Sequence, residues 1–274
     1  MKTSGFAPHE AFDEYAERFQ DYFSLRRENG IVELKMHDKG AATEWKKEHN
    51  WGWGAALRAI AADTDNEVLI IGGTGNAFST GMDADYLRYV KTLQEEEPEA
   101  FSELILDTYQ RVSKMIQTML FEFDIPTIGV LNGPGFQNLH LELPFFTDFT
   151  LCAPDVSFSS RHYTLGNVPG DGWHFALQFM LGAKRANHLT LSGQEWSVRQ
   201  ALDWGMVGEI VPSQTIYDRA WEMAEDMMRK PRSVRRLTHE LMTSSWRRSF
   251  LEEYRFQSGV QAWSGTIGAC SARA

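Results

Sequence analysis

Between Phe158 and His174 the chain reads FSSRHYTLGNVPGDGWH, which sets His162 nine residues ahead of Asp171 across a glycine-rich turn. A base that titrates near neutrality and a group that fixes its tautomer are the two needs of acid–base chemistry, and imidazole beside carboxylate meets both. The same Asp171, inside PGDG, also suits a plain turn or a helix cap, where its carboxylate would accept backbone N–H groups. The chain has eight histidines. Residue type alone therefore does not single out His162, and His174 and His49 stand as secondary candidates.

Two strand-to-loop junctions are the next places for chemistry. In EVLIIGGTGNAFSTGMD a buried strand from Glu67 to Gly72 runs into a glycine-rich loop around Gly81; in IPTIGVLNGPG, Pro126 opens a strand that ends in a tight turn over 132–135. Each junction can present a backbone amide to a developing oxyanion, and two ordinary turns would read the same way. The glycines match neither a dinucleotide fingerprint nor a P-loop, and no phosphate-binding lysine follows them, which argues against nucleotide chemistry.

The elements that must position these groups alternate. Phe12, Tyr15, Phe19 and Tyr22 predict a short amphipathic helix over 10–22, and FSLRRENGIVELKM predicts a hairpin turning at Asn29 and Gly30. A helix is expected over roughly 50–62. Phe101, Leu104, Ile105, Thr108, Val112, Met115, Ile116, Met119 and Leu120 form a stripe that predicts a long core-facing helix. DFTLCAPDVSFS reads as a further strand, and after Gly172 the chain reads as helices broken at Gly182, Gly193 and Gly205. Strands alternating with helical crossovers indicate an α/β fold with parallel pairing.

Composition narrows the class. The formal charge of -10 over 274 residues argues against nucleic acid or an anionic membrane as partner. The local basic group Arg229, Lys230, Arg232, Arg235 and Arg236 reads as a solvated helix face. The only cysteines, Cys152 and Cys270, have no metal or redox spacing, which fits a reducing cytoplasm. No signal-like run and no stretch of about 18 apolar residues occurs, so a soluble, unprocessed, cytoplasmic chain is expected. Residues 1–212 are expected to form the core with its lead-in helix, and 213–274 a helical C-terminal region.

AFSTGMDADYL, IPTIGVLNGPG and LSGQEWSVRQALDWGMVGEIVP, in that order from about Phe23 to Pro212, resemble the crotonase (enoyl-CoA hydratase/isomerase) superfamily. The resemblance implies a spiral of repeated ββα units, a helical C-terminal trimerisation region, and a homotrimer or dimer of trimers. Two departures stand out. The RPxxxNAL-like segment of coenzyme-A-using members is replaced by HDKGAATEWKKEHNWGWGAAL, and the glycine triplet after the second turn by GFQNLHLELP. Both weaken the case for an acyl-CoA thioester, and the second should crowd half of the usual oxyanion hole.

Within the superfamily the chain is most similar to the 6-oxocamphor hydrolase group of beta-diketone hydrolases, which cleave a carbon–carbon bond without coenzyme A. The similarity rests on Asn132, Gly133, Pro134, His140, Glu142 and Pro144, and on the His162 to Asp171 spacing. It implies His162 as base, Asp171 as its partner, and His140 with Trp45 as ligands of the substrate carbonyl. Met82 is expected at the substrate, and Glu142, where hydratases keep a catalytic glutamate, is expected to give structural support. The group's supporting C-terminal glutamate falls on Gln261 or Ala262, unless Glu252 or Glu253 serves. Trp51, Trp53, Trp173, Phe136 and Tyr163 are aromatic residues near the expected site loops. The expected reaction is retro-Claisen hydrolysis of a cyclic, apolar 1,3-diketone to a keto acid, with no metal and no organic cofactor. An acyl-CoA hydratase, isomerase or thioester hydrolase is the alternative enzyme, and a non-catalytic trimeric binding protein the alternative of another class.

Overall fold

The computed structural model describes residues 10–135 and 140–271, the side chains of 112, 113, 161 and 268–271 excepted. Helix α1 (Phe12–Phe19) leads into the hairpin of β1 (Phe23–Glu28) and β2 (Ile31–Met36). Asn29 and Gly30 take φ of 51° and 84°, the two left-handed residues that a two-residue hairpin turn requires. There follow β3 (Thr43–Trp45), α2 (Lys47–Ala62), β4 (Val68–Gly73), β5 (Ser79–Met82), α3 (Ala84–Glu96), α4 (Pro98–Phe121), β6 (Thr127–Leu131), a 3-10 turn (Leu143–Phe146), β7 (Phe149–Cys152), β8 (Ser157–Phe158) and α5 (Arg161–Thr164). The remainder is α6 (Trp173–Leu181), α7 (Ala183–Ser192), β9 (Trp196–Ser197), α8 (Val198–Asp203), β10 (Glu209–Ile210), α9 (Ile216–Met228), α10 (Arg232–Ser249), a π-turn (Phe250–Tyr254) and α11 (Arg255–Ser271).

The main sheet has the order β1-β2-β4-β6-β7-β10, parallel throughout except for the β1–β2 hairpin. Every residue of β4 and β6 is buried, which explains why both read as unbroken apolar runs and not as alternating strands. Helix α9 packs over β2, β4, β6 and β7, and the 3-10 turn packs on β6 and β7. That last approach is close enough that a β-carbon on Gly129 would collide with Pro144. Successive turns of the chain thus add strands to the main sheet, as the resemblance implies, while β3 with β5 and β8 with β9 form two separate two-stranded sheets.

These short strands escaped the sequence reading because two to four residues leave no periodicity to read. They matter, since the parallel pair β3–β5 carries Trp45 opposite Met82, and a bridge from Ser79 to Gly135 joins the two glycine loops. Asn132 fastens the same junction: its amide donates to the carbonyls of Gly75 (2.9 Å) and Ala77 (3.1 Å) and its Oδ1 accepts from Gly73 N–H (3.1 Å). The residue expected to shape a turn is therefore a strut between two loops.

Other expectations need correction. Helix α3 was not anticipated; its exposed, acidic sequence hides it, although Asp83 caps it by accepting from Tyr86 N–H at 2.8 Å. The basic run is not simply a solvated face. Arg232, Arg235 and Arg236 all reach the carboxylate of Glu67, with the Arg235 side chain only 7% exposed. Their charges pull Glu67 below the ordinary carboxylate range against a burial that would raise it. The long stripe faces the core through Met115, Ile116, Met119 and Leu120, whereas Ile105 and Thr108 line the site described below and Phe101 packs with Leu93 of α3. Helix α10 is pinned by the buried His239, whose ring nitrogens contact Asp148 (2.8 Å) and the Phe123 carbonyl (3.2 Å). No helix among the described residues is long and apolar enough to cross a membrane.

Candidate active site

His162 lies in the single turn of α5, and Asp171 lies just before α6, so the segment between them folds back to close the pair. Nε2 of His162 is 2.8 Å from Oδ2 of Asp171. Oδ1 of the same carboxylate accepts the Trp173 N–H at 3.4 Å, although the N-cap of α6 is Gly172 and not Asp171. Its backbone carbonyl accepts from the hydroxyl of Tyr254 at 3.3 Å. A β-carbon on the neighbouring Gly170 would strike the Gln257 carbonyl, so the loop sits directly on α11. The C-terminal helices thereby set the position of the dyad.

Burial works against charge on His162, but the adjoining Asp171 carboxylate outweighs it and lifts the imidazole to about 9. Burial likewise pushes Asp171 up, and the His162 charge and hydrogen bond reverse this, taking it down to about 2. Both shifts run in the direction that favours the ion-paired form at neutral pH. With Nε2 engaged by Asp171, Nδ1 is the nitrogen left to meet a substrate or water.

His140 takes an unusual positive φ of 56° and places Nδ1 2.9 Å from Oε1 of the fully buried Glu142. Burial raises Glu142, with His140 opposing and Asp171 adding to the shift. Were Glu142 protonated, it would donate to Nδ1 and leave the His140 proton on Nε2, the form that can donate to a carbonyl. Trp45 stacks on the His140 ring with centroids 4.1 Å apart. Its indole N–H does not point free as a donor, however. It is spent on Oδ1 of Asn50 at 2.8 Å, and the side chain is fully buried.

Both histidines face one cavity of about 320 Å³, lined also by Asp171, Asn50, Met82, Tyr86 and the α4 residues Ile105, Thr108 and Tyr109. Gln261 and Ala262 of α11 complete it from the side where the resemblance expects a glutamate. Neither Glu252 nor Glu253 fills that role: both are exposed, and Glu253 contacts Gln257. The carboxylate that does lie beside Asp171 is Glu142. His140, Glu142 and Asp171 bring one ligand-type atom each within 4.8 Å of one another.

The remaining candidates separate cleanly. Trp53 and Trp173 belong to the core, Trp51 and Tyr163 are exposed, and none of the four lines the cavity. Phe136 lies outside the described residues. His49 is structural: Nδ1 accepts the Lys46 N–H at 3.0 Å, Nε2 donates to the His37 carbonyl at 3.0 Å, and burial lowers its basicity. His174 pairs with Thr190 at 3.3 Å and is also lowered by burial. Asn50, Tyr86, Tyr109 and Asn167 were missed. Asn50 was the most findable, as a polar residue beside Trp45 at the start of an otherwise core-facing helix.

Residues 26–262 match the family described as Enoyl-CoA hydratase/isomerase. Carnitinyl-CoA dehydratase of Salmonella paratyphi B is 27% identical over 245 residues, 86% of each chain. A beta-diketone hydrolase from the cyanobacterium Anabaena, solved with (S)-3-oxocyclohexyl acetic acid, superposes with a TM-score of 0.82 at 26% identity, over 93% of this chain and 97% of that one. An enoyl-CoA hydratase/isomerase from Mycobacterium paratuberculosis shares the fold, with a TM-score of 0.77 at 18% identity over 89% and 93% of the two chains. The chain is a member of the enoyl-CoA hydratase/isomerase, or crotonase, family.

Proposed function

We propose that this protein hydrolyses a carbon–carbon bond in a cyclic, apolar 1,3-diketone. The observation that carries the reading is the His162–Asp171 ion pair facing the same small cavity as His140. Nδ1 of neutral His162 takes a proton from water as the water oxygen attacks one carbonyl carbon. The tetrahedral intermediate collapses with cleavage of the bond to the carbon between the carbonyls. The electron pair passes to the second carbonyl as an enolate, stabilised by Nε2–H of His140. The imidazolium of His162 then returns the proton to carbon, giving a keto acid. The step consumes one water and needs no redox partner. Similarity to a diketone hydrolase over almost the whole of both chains supports the reading.

The second reading, a hydratase or dehydratase acting on an acyl-CoA, is favoured by the curated relatives and by Glu142 at the hydratase glutamate position. The two readings part experimentally. Incubation with a panel of mono- and bicyclic 1,3-diketones should consume the enol absorbance and yield acids heavier by one water. Tight binding of coenzyme A, with no diketone consumed, would overturn the proposal.

The assembly we propose is a homotrimer or a dimer of trimers. Val234, Leu237 and Leu241 leave an apolar face exposed at helical spacing on α10, and Leu251, Phe256 and Trp263 are exposed on the elements that follow. Light scattering that found a monomer would contradict this.

A further inference from the structure

We infer that the side-chain amide of Asn50 is a substrate-carbonyl donor beside His140, and that Trp45 acts as the positioning residue that aims it. The inference rests on the diketone reading for its catalytic meaning and on geometry alone for its binding meaning. An indole N–H donates and never accepts, so the atom of Asn50 that meets Trp45 Nε1 at 2.8 Å is the carbonyl oxygen. The rotation of the amide is thereby fixed, and Nδ2 with its two hydrogens is turned the other way. Asn50 is 9% exposed and lines the cavity with His140 and His162. Among the described residues no hydrogen bond is made to Nδ2.

Three rings and an amide thus form one unit. His49 is locked at the His37 carbonyl and the Lys46 N–H. It lies 5.5 Å from the Trp45 ring, which in turn stacks on His140. The tilted ring contacts hold Trp45 against His140 while its indole fixes Asn50, and Asn50 and His140 line the same cavity. Preorganised neutral donors of this kind act on charge as it develops, without reorganising. The indole expected to touch substrate instead acts one residue removed.

Asn50→Asp separates this role from a structural one. A carboxylate still accepts from Trp45, so a residue that merely held the indole would tolerate the change; a donor would not, because the carboxylate has no N–H to offer. The variants N50D, N50A, W45F and W45F/N50A are to be compared by circular dichroism for folding. They are then compared for kcat and KM on the best diketone, and by calorimetry for binding of 3-oxocyclohexyl acetic acid. N50A and N50D should lose about a hundredfold in kcat with a smaller change in KM. Ketone binding should weaken about tenfold. W45F should lose less, and W45F/N50A should be no worse than N50A alone, since Trp45 acts through Asn50. The binding arm stands even if wild type cleaves no diketone, which distinguishes failure of this inference from failure of the proposed reaction. Wild-type protein that binds no ring ketone, or folded N50A and N50D that bind it as wild type does, overturns the inference.

Discussion

The Asp171 carboxylate serves His162 with one oxygen and the first amide of helix α6 with the other. His162 is thereby linked through Asp171 to the start of α6.

That tie gives the reaction a distinctive pH dependence. His162 is held as imidazolium up to about 9, and only the neutral ring can take a proton from water. The value of kcat/KM should therefore climb with pH, reach half its plateau near 9 and level off above it. A rate profile that is flat from pH 6 upward would show that another group supplies the base.

Asp171→Asn removes the charge and keeps the shape. The His162 resonance followed by NMR should then titrate well below 9, because burial no longer meets an opposing carboxylate. The amide can also present its N–H to the ring and select the wrong tautomer, so kcat should fall by about 10²–10⁴. Unchanged titration of His162 would remove Asp171 from the dyad.

Stability should respond to the same pair with the signs reversed at its two ends. His162 is raised from an ordinary 6.5 to about 9, so its contribution is complete below 6.5 and is lost as pH rises through 9. Asp171 is lowered from 3.8 to about 2, so its contribution is present above 3.8 and is lost as pH falls through 2. Urea melts of H162A should show flatter arms on both sides than wild type; parallel curves would mean the ion pair does not contribute.

Glu142 tests how His140 keeps its proton. Glu142→Gln can still donate to Nδ1 and should retain most activity, whereas Glu142→Ala leaves the buried imidazole nitrogen unmatched. The alanine change should cost about 1–3 kcal/mol in stability and remove the donor tautomer. If E142Q were as inactive as E142A, an ionised glutamate would be the required form.

The dyad segment and the two glycine loops were legible because PGDG, NGPG and STGMD mark local turns, whereas His140 came only from the family resemblance. Other parts were illegible for a physical reason. Whether Trp45 donates to substrate or to Asn50 depends on a tertiary rotation of the indole, which no spacing encodes. The cavity face of α4 looks like any apolar stripe, since Ile105 and Thr108 differ from Met115 and Ile116 only in what packs against them. The Glu67 clamp on Arg232, Arg235 and Arg236 joins residues remote in sequence, and long-range ion pairs leave no local pattern.

The central claim is most directly tested by the enol absorbance of a bicyclic 1,3-diketone, followed at pH 8.5 with wild type and His162→Ala side by side. The account predicts steady loss with wild type, a keto acid as the product, and a rate at least about a hundredfold lower for the variant. Loss of the diketone at equal rates by both proteins would contradict it.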